Sequence, residues 1–236
     1  MTTSRSVFIT GGNRGIGHAI ADDFLRAGHR VAVAQRSPGG PLGALELTCD
    51  VTDDESVDRA FTAAEQTNGP IEVLVANAGI TKSAPLAAMS PQQFTAVLDT
   101  NLVSAYRLAR RAVSGMVRRR YGRIIFVSSV FGLTGRAGAA NYAASKSGLL
   151  GLARSVAREY ARYGITANVL SPGVVRTAMT EEMSKELLDE LIARTLLKRP
   201  AEPAEIAATA RWLADDTASY VTGAEIVVDG GLSLGA

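Results

Sequence analysis

The chain has 236 residues, of which 47% are hydrophobic and 20% are charged, and its formal net charge is +2. This size and composition predict one α/β domain with a substantial core, and the small charge gives no indication of a nucleic-acid partner. One cysteine and two scattered histidines exclude a disulfide and a cysteine-built metal centre, so we expect no metal site. No apolar run reaches membrane-spanning length, and the chain enters its first strand without an apolar signal region, so we expect a cytoplasmic protein without a membrane partner.

The first elements are a short apolar strand at 7–10, a glycine-rich turn and a helix that ends at Gly28. Glycines in such a turn let the backbone approach a pyrophosphate, and the helix N-terminus offers free N–H groups to it. Because a second strand, 30–35, follows the helix at once, the segment forms a βαβ unit. The pattern therefore predicts a dinucleotide site.

The end of the second strand indicates which dinucleotide is bound. An acidic residue there would bind the ribose 2′-hydroxyl of NADH, but this chain has Arg36, and Arg14 lies in the glycine turn. Two arginines favour the 2′-phosphate of NADPH. The alternative is that both are ordinary solvated arginines in an arginine-rich chain.

Prolines and glycines between Ser37 and Ala44 predict a loop in place of a second helix. A third strand then ends at 49–51, and Thr52 with Glu55 predicts a capping box for a helix that reaches about Asn68. The apolar run 71–75 predicts a fourth strand in the centre of a parallel sheet.

Ser90 and Gln93 predict a second capping box, with Pro91 at the first helical position. One helical pattern then covers Phe94 to about Arg120. Asn101 lies near its middle and is either a satisfied core amide or part of a proton path; its position favours the first interpretation.

A strand at 124–127 leads to Ser129, and a helix beginning near Tyr142 follows a glycine-rich loop. Tyr142 and Lys146 are four residues apart and share a helix face, so we expect the ammonium to lower the pKa of the phenol. Ser129 is placed to hydrogen-bond the same substrate oxygen. These three residues predict a reduction site beside the dinucleotide; the alternative is a surface Tyr and Lys pair.

The remaining elements are a strand at 165–170, a charged amphipathic segment at 180–197, a helix from Pro203 and a strand at 225–228. The amphipathic segment is a candidate lid, which we extend to about 176–200. Regular alternation of strands and helices predicts a single-domain, doubly wound Rossmann fold of about seven parallel strands, with the ligand at their carboxyl ends.

These motifs resemble the short-chain dehydrogenase/reductase family over essentially the whole chain. The matching motifs are the T-G-x-x-x-G-x-G run from Thr10 to Gly17, Asn77-Ala78-Gly79, Asn101, Ser129, Tyr142 with Lys146, and Pro172-Gly173. Three further pieces, 141–146, 219–223 and 228–231, are most similar to the family's 3-oxoacyl-carrier-protein reductases of actinobacterial type.

The resemblance implies NADPH-dependent reduction of a β-ketoacyl thioester to the (3R)-hydroxyacyl product. Tyr142 would donate the proton, Lys146 would hold the nicotinamide ribose, Ser129 would orient the carbonyl, and Asn101 would support a water that reprotonates Lys146. The implied cofactor-binding residues are Thr10, Gly11, Asn13, Arg14, Gly15, Ile16, Gly17, Arg36, Asp50, Val51, Asn77, Ala78, Gly79, Tyr142, Lys146, Pro172, Gly173, Val175 and Thr177.

The resemblance also implies a homotetramer and an acyl-carrier-protein partner. Small residues after Tyr142, including Gly148 and Gly151, would allow helices of two subunits to pack closely. Arg120 matches one arginine that the family uses for carrier docking, whereas the second falls on Tyr163. A basic stretch that also holds Arg107, Arg110, Arg111, Arg118, Arg119 and Arg123 would assist docking, unless it is only a solvated face.

Departures from the family pattern concern the substrate. They lie at 86–89, at Ala140, at 176–178 and at Tyr163, whereas the catalytic residues all match. A polyketide-type ketoreductase and an alcohol dehydrogenase of the same family therefore stay open as alternatives. From another class, a non-catalytic NADPH-binding regulator would have no use for Ser129, Tyr142 and Lys146 together.

Overall fold

The computed structural model describes residues 4–181 and 183–235, and within them seven parallel strands form one sheet. Their order is β3-β2-β1-β4-β5-β6-β7. The strands are β1 (Ser6–Thr10), β2 (Arg30–Gln35), β3 (Leu45–Thr48), β4 (Val73–Ala76), β5 (Gly122–Val127), β6 (Ile165–Pro172) and β7 (Glu225–Val228). The chain builds outward from β1 to β3 and then crosses back to β4, so the switch point of the sheet lies between β1 and β4.

Helices cover both faces of the sheet. They are α1 (Gly15–Arg26), α2 (Asp54–Asn68), α3 (Pro91–Leu98), α4 (Ser104–Arg119), α5 (Val130–Thr134), α6 (Ala140–Tyr160), α7 (Ala178–Glu181), α8 (Lys185–Arg194) and α9 (Pro203–Ala214). Helices α1 and α9 pack on one face, and α2, α4 and α6 pack on the other. None of the helices in the described part of the chain is long and apolar enough to cross a membrane.

Side chains that alternate along each strand fill the core on both faces of the sheet. In β1, Val7 and Ile9 belong to the cluster beneath α1 and α9, whereas Phe8 belongs to the opposite cluster and stacks on Phe61 of α2 with ring centres 4.2 Å apart. Successive side chains of a strand point to opposite faces, so a strand covered on both sides must be apolar at every position. The sheet therefore holds the site residues at its carboxyl edge rigidly.

The predicted fold class is confirmed, and several element bounds agree with the sequence patterns. Strands β2 and β7 and the start of α9 at Pro203 lie at the predicted positions. No helix joins β2 to β3 in the described chain, and the capping box of Ser90 and Gln93 is present.

Two predicted bounds are wrong. Strand β3 ends at Thr48, before the predicted 49–51, and Asp53 rather than Thr52 caps α2 by accepting the N–H groups of Glu55 and Ser56. The N–H and the hydroxyl of Thr52 both donate to Asp50, so Thr52 belongs to the turn that precedes the cap.

The predicted continuous helix from Phe94 to Arg120 is also wrong. A π-helical turn, Asp99–Val103, separates α3 from α4, and Asn101 lies inside that turn. Such turns insert a residue into a helix and are frequent at functional sites. In addition, the glycine-rich loop before Tyr142 contains the short helix α5.

The arginines at 107, 110 and 111 do not form the free basic face that their spacing indicated. Arg107 pairs with Asp99, Arg110 with Asp54, and Arg111 with Asp58 and Glu65, at 2.7 to 2.8 Å. Most of these acids belong to α2. Their charges neutralise the arginine side chains, which stabilise the packing of α4 on α2.

Candidate active site

The predicted site residues gather where the central strands end. Thr10, at the end of β1, accepts the N–H groups of Asn77 and Ala78 on its hydroxyl, at 3.1 Å each. The Asn77 amide in turn donates to the carbonyls of Thr10 and Gly11 at 3.0 and 3.2 Å. These bonds join the segment after β4 to the glycine turn after β1, across the switch point of the sheet.

The glycine turn leaves no room for side chains. A Cβ at Gly17 would lie 2.1 Å from the carbonyl oxygen of Gly11, and Gly11 and Gly15 have φ values of +68° and +55°, which favour glycine. Arg14 precedes α1 without a side-chain cap, so the first N–H groups of that helix remain available to an anion. This backbone fits the pyrophosphate of a dinucleotide.

Other predicted cofactor residues border this turn. A Cβ at Gly15 would lie 3.2 Å from Thr177 Cγ2, and one at Gly39 would lie 3.5 Å from the carbonyl oxygen of Asn13. Gly173 contacts Asp229 so closely that a Cβ would lie 2.7 Å from its Cα. Apolar side chains complete the set. The buried ones are Val51 and Val175, and Ile16 packs on the core beneath α1.

Arg14 and Arg36 are exposed, and neither forms an ion pair with any side chain that the structure describes. Hydrogen bonds from Thr52 lower the pKa of Asp50, and the positive charge of Arg36 lowers it further. Arg36 is thus close to Asp50, beside the adjacent ends of β2 and β3. Two unpaired arginines near the glycine turn are suited to an extra phosphate.

Ser129, Tyr142 and Lys146 meet at the end of β5. The Ser129 side chain lies close enough to Tyr142 to affect the pKa of its phenol, and Ser129 Oγ accepts the N–H of Phe131 at 3.2 Å. Lys146 is buried, and its ammonium donates to the carbonyl of Val127 at 2.8 Å. Two hydroxyls and one ammonium therefore converge beside the glycine turn.

The pKa values in this site differ from the expectation that Lys146 makes Tyr142 more acidic. Burial raises the pKa of Tyr142, and the neighbouring Ser129 hydroxyl and the charge of Arg136 offset that rise only in part. Burial alone lowers the pKa of Lys146 to about 8. The reason is physical: removal from water disfavours tyrosinate and ammonium alike.

Asn101 is fully hydrogen-bonded. Its Oδ1 accepts the N–H of Ile80 at 2.8 Å, and its Nδ2 donates to the Ile80 carbonyl and to Ser145 Oγ at 3.0 Å each. A Cβ at Gly79 would lie 3.3 Å from Asn101 Oδ1 and 3.4 Å from Lys146 Nζ, so both side chains lie against Gly79. Asn101 is a satisfied amide next to the lysine, and its part in a proton path stays a prediction.

Comparison with known proteins identifies this arrangement. Residues 11–233 match a family model described as Enoyl-(Acyl carrier protein) reductase. The chain is 48% identical over 232 residues to the 3-oxoacyl-[acyl-carrier-protein] reductase MabA of Mycobacterium tuberculosis, covering 98% of this chain and 94% of the relative. The chain belongs to the short-chain dehydrogenase/reductase family.

Two further comparisons agree with the family assignment. The 3-oxoacyl-[acyl-carrier-protein] reductase FabG of Escherichia coli is 38% identical over 234 residues, with 96% of each chain covered. A Thermus thermophilus protein of known structure superposes with a TM-score of 0.93 at 37% identity, covering 98% of this chain and 99% of that one. Membership of this family implies a nicotinamide cofactor, and the glycine turn of this short-chain dehydrogenase/reductase fits one.

Three polar residues that the sequence motifs did not single out hold the backbone or side chains around Tyr142 and Lys146. Asn141 is buried; its amide donates to the Lys82 carbonyl at 2.9 Å and accepts the N–H of Tyr142 at 2.7 Å. Ser145 donates to the carbonyl of Tyr142, and Ser128 donates to that of Lys146. The available signal was that Asn141 and Ser145 are polar residues next to Tyr142 and Lys146 in the chain, and that Ser128 is next to Ser129.

The predicted lid packs beside this site. Leu191 of α8 belongs to an apolar cluster with Val130, Val174 and Leu232, and Met183, Leu187 and Leu188 pack against it. Val130 directly follows Ser129, so the apolar side of the segment faces the approach to the catalytic residues. Residue 182 of the predicted lid lies outside the described residues, and movement of the segment stays a prediction.

Proposed function

We propose that this protein reduces the ketone of a β-ketoacyl thioester to the (3R)-hydroxyacyl product, with NADPH as the reductant. The observation that carries the proposal is the convergence of Ser129, Tyr142 and the buried Lys146 at the end of β5, with the ammonium 5.7 Å from the centre of the Tyr142 ring. Two hydroxyls that meet at one point can both hydrogen-bond a single carbonyl oxygen. The names of the relatives, 3-oxoacyl-[acyl-carrier-protein] reductases, agree with this chemistry.

Bound NADPH supplies a hydride to the carbonyl carbon. Tyr142 gives its proton to the carbonyl oxygen, and Ser129 donates a hydrogen bond that holds this oxygen in position. The raised pKa keeps Tyr142 protonated in the free protein, so the phenol carries the proton that it donates to the carbonyl oxygen. With a pKa of about 8, Lys146 is mostly charged at neutral pH and stabilises the tyrosinate that remains.

Lys146 also has N–H donors with which it can bind the cofactor. Its ammonium has three N–H donors, and one of them is used by the Val127 carbonyl. The other two suit the hydroxyls of a nicotinamide ribose. Arg14 and Arg36 support NADPH rather than NADH, because both are exposed, close to the glycine turn and free of described ion pairs.

Enoyl reduction, the reaction in the description of the matching family model, is the second candidate. It adds the proton to a carbon atom, whereas Ser129 and Tyr142 together suit an oxygen that accepts two hydrogen bonds. Ketone reduction is therefore the better fit to the site. A polyketide-type ketone or a free alcohol as substrate would use the same residues.

We also propose an acyl-carrier-protein partner, with Arg120 in the docking surface. Arg120 ends α4 at the amino end of β5, whereas Ser129 follows its carboxyl end. Six strand residues separate the two ends by about 20 Å. A carrier bound at Arg120 must therefore span the depth of the sheet or serve the site of another subunit.

A homotetramer is consistent with two exposed apolar surfaces. Trp212, Tyr220, Val227 and Leu234 are exposed on or near α9 and β7, and Val103 and Tyr106 are exposed at the start of α4. On α6, Gly151 is open to packing by a second subunit. Gly148 is not, because a Cβ there would lie 2.7 Å from Leu102 of the same chain.

The test compares two thioesters of N-acetylcysteamine that differ only in the reacting group. Acetoacetyl thioester offers a ketone, and crotonyl thioester offers a carbon–carbon double bond. We expect NADPH absorbance to fall with the first and not the second, and chiral chromatography to give the (3R) alcohol. Turnover of the crotonyl thioester alone would replace ketone reduction by enoyl reduction, and turnover of neither would refute both.

A further inference from the structure

Arg136 is a charged residue at the active site to which the proposed reaction gives no role. It lies in the loop between α5, which Ser129 precedes, and α6, which carries Tyr142. Its guanidinium lies 5.2 Å from the centre of the Phe131 ring. Among the side chains that the structure describes, no acid pairs with it, and it is half-buried.

The loop holds Arg136 in a defined place. Gly135 and Gly138, with φ values of +71° and +73°, turn the chain on either side of it. The N–H of Ala139 donates to the Arg136 carbonyl at 3.2 Å, and the Gly138 carbonyl accepts the N–H of Ala84 at 2.9 Å. The second bond ties the loop to the segment after β4, so the backbone that carries Arg136 is held on both sides.

The surroundings of Arg136 connect it to the reacting group. Phe131, on which the guanidinium lies, packs against the apolar cluster of Val130 and Leu191 beneath α8. On the other side, the positive charge of Arg136 acts on the Tyr142 hydroxyl. The guanidinium thus lies over an aromatic ring at the edge of the apolar cluster, near enough to Tyr142 for its charge to affect the pKa of the phenol.

An unpaired guanidinium at that position is unsuited to a plain hydrocarbon chain and well suited to an anion. Guanidinium binds carboxylate and phosphate through two parallel hydrogen bonds, and the aromatic ring beneath it orients the cation. We infer that Arg136 is a specificity residue that binds an anionic group, carboxylate or phosphate, carried by the ketone substrate. This inference rests on the proposed ketone reduction.

Two parts of a thioester substrate carry such a group. One is a carboxylate at the far end of the acyl chain, and the other is the phosphate of the phosphopantetheine arm on which carrier proteins hold acyl groups. Three β-ketoacyl thioesters distinguish these two sources of negative charge. They are an uncharged N-acetylcysteamine thioester, the same thioester with a terminal carboxylate, and an uncharged acyl group on 4′-phosphopantetheine.

The variants are Arg136→Gln, Arg136→Lys and the control Arg26→Gln, which removes an exposed arginine whose only ion-pair partner among the described residues is Asp22 of the same helix. We expect Arg136→Gln to lower kcat/KM about tenfold or more for one anionic thioester and less than about twofold for the uncharged one. Arg136→Lys should restore part of the loss, and Arg26→Gln should leave all three values unchanged. The anionic thioester that responds identifies the source of the charge.

Equal losses on charged and uncharged thioesters would overturn the inference, because Arg136 would then support the fold or the phenol. No loss on any thioester would overturn it too. Calorimetric binding of the matching 3-hydroxyacyl thioesters to the NADP-loaded protein gives the same comparison without turnover. An inactive wild type would therefore refute the ketone reduction, while the binding preference would still decide the role of Arg136.

Discussion

The ammonium nitrogen of Lys146 lies 5.7 Å from the centre of the Tyr142 ring, one helical turn away on α6. Burial opposes the charge on both groups, so the free protein holds a protonated phenol and an ammonium whose pKa is about 8. In the proposed reaction, proton donation by Tyr142 would leave a tyrosinate, and the nearby ammonium would lower the free energy of that product.

Tyr142→Phe removes the acidic hydroxyl and little volume. We expect a folded protein that still binds NADPH, whereas ketone reduction falls by about two orders of magnitude or more, which is the usual contribution of a positioned acid. NADPH fluorescence measures binding, and NADPH absorbance with a β-ketoacyl thioester measures turnover. Retained turnover would falsify the role of Tyr142.

Lys146→Met tests the cost of the buried ammonium. Below pH 8 the lysine is charged in the folded and unfolded states, and its lowered pKa corresponds to roughly 3 kcal/mol against folding. Between pH 8 and 10.5 the unfolded state keeps a proton that the folded state loses, so wild-type stability rises with pH in this window.

The Met variant should therefore be the more stable protein at pH 7, by less than that amount because the hydrogen bond to Val127 is lost, and its advantage should shrink by pH 9.5. Urea unfolding at both pH values measures the difference. A difference that does not change with pH would show that burial does not shift this lysine. We also expect the variant to bind NADPH more weakly, because the ammonium is the proposed ribose ligand.

Arg36→Asp tests the preference for NADPH. Charge-assisted contacts contribute about 1.5 to 3 kcal/mol, so wild type should prefer NADPH over NADH at least about tenfold, and the variant should lose or invert that preference. The ratio of kcat/KM for the two cofactors measures it. Arg118→Asp, at an exposed position near the end of α4, is the matched control. An unaltered ratio in Arg36→Asp would make Arg36 an ordinary surface residue.

Asn101→Ala removes the amide that joins Ile80 to Ser145. Because the N–H and carbonyl of Ile80 lose their partners, we expect the free energy of unfolding to fall by about 2 to 4 kcal/mol. Ser145→Ala removes one of the same hydrogen bonds and should cost less. Urea unfolding compares the two. Equal stability of Asn101→Ala and wild type would exclude a structural role for the amide.

Arg120→Glu tests carrier docking. If Arg120 attracts an acidic carrier protein, the variant should slow reduction of a carrier-bound β-ketoacyl group, more strongly at low salt, and leave a small β-ketoester unaffected. The Arg120 side chain also donates to the carbonyl of Arg162 at 3.0 Å. Equal losses on both substrates would therefore point to this local contact instead of docking.

The strands and most helix bounds were predictable from the sequence because apolar runs, glycines and prolines mark them locally. The π-helical turn was not, since nothing between Asp99 and Val103 interrupts the helical pattern. The ion pairs of Arg111 were not predictable either, because its partners Asp58 and Glu65 lie about fifty positions earlier in the chain. The pKa of Tyr142 depends on burial, which spacing to Lys146 does not reveal.

The proximity of the proposed catalytic residues Ser129, Tyr142 and Lys146 was predictable because each is placed by a strand end or by helical spacing. Ser129 follows a strand, and Tyr142 and Lys146 lie one turn apart in a helix. Arg136 had no such signal: its position over Phe131 depends on the short helix α5, which the glycines around it concealed.

The π-helical turn makes the length of its segment as important as its composition. An α-helix advances by about 100° per residue, and the turn holds one residue more than a regular helix would. Deleting one residue between Asp99 and Val103 would restore regular helix geometry and rotate Asn101 away from Ile80 relative to α4. Exchange of side chains cannot compensate for such a rotation. Related chains that share this site should therefore tolerate substitutions in this turn at positions other than Asn101, but neither insertions nor deletions.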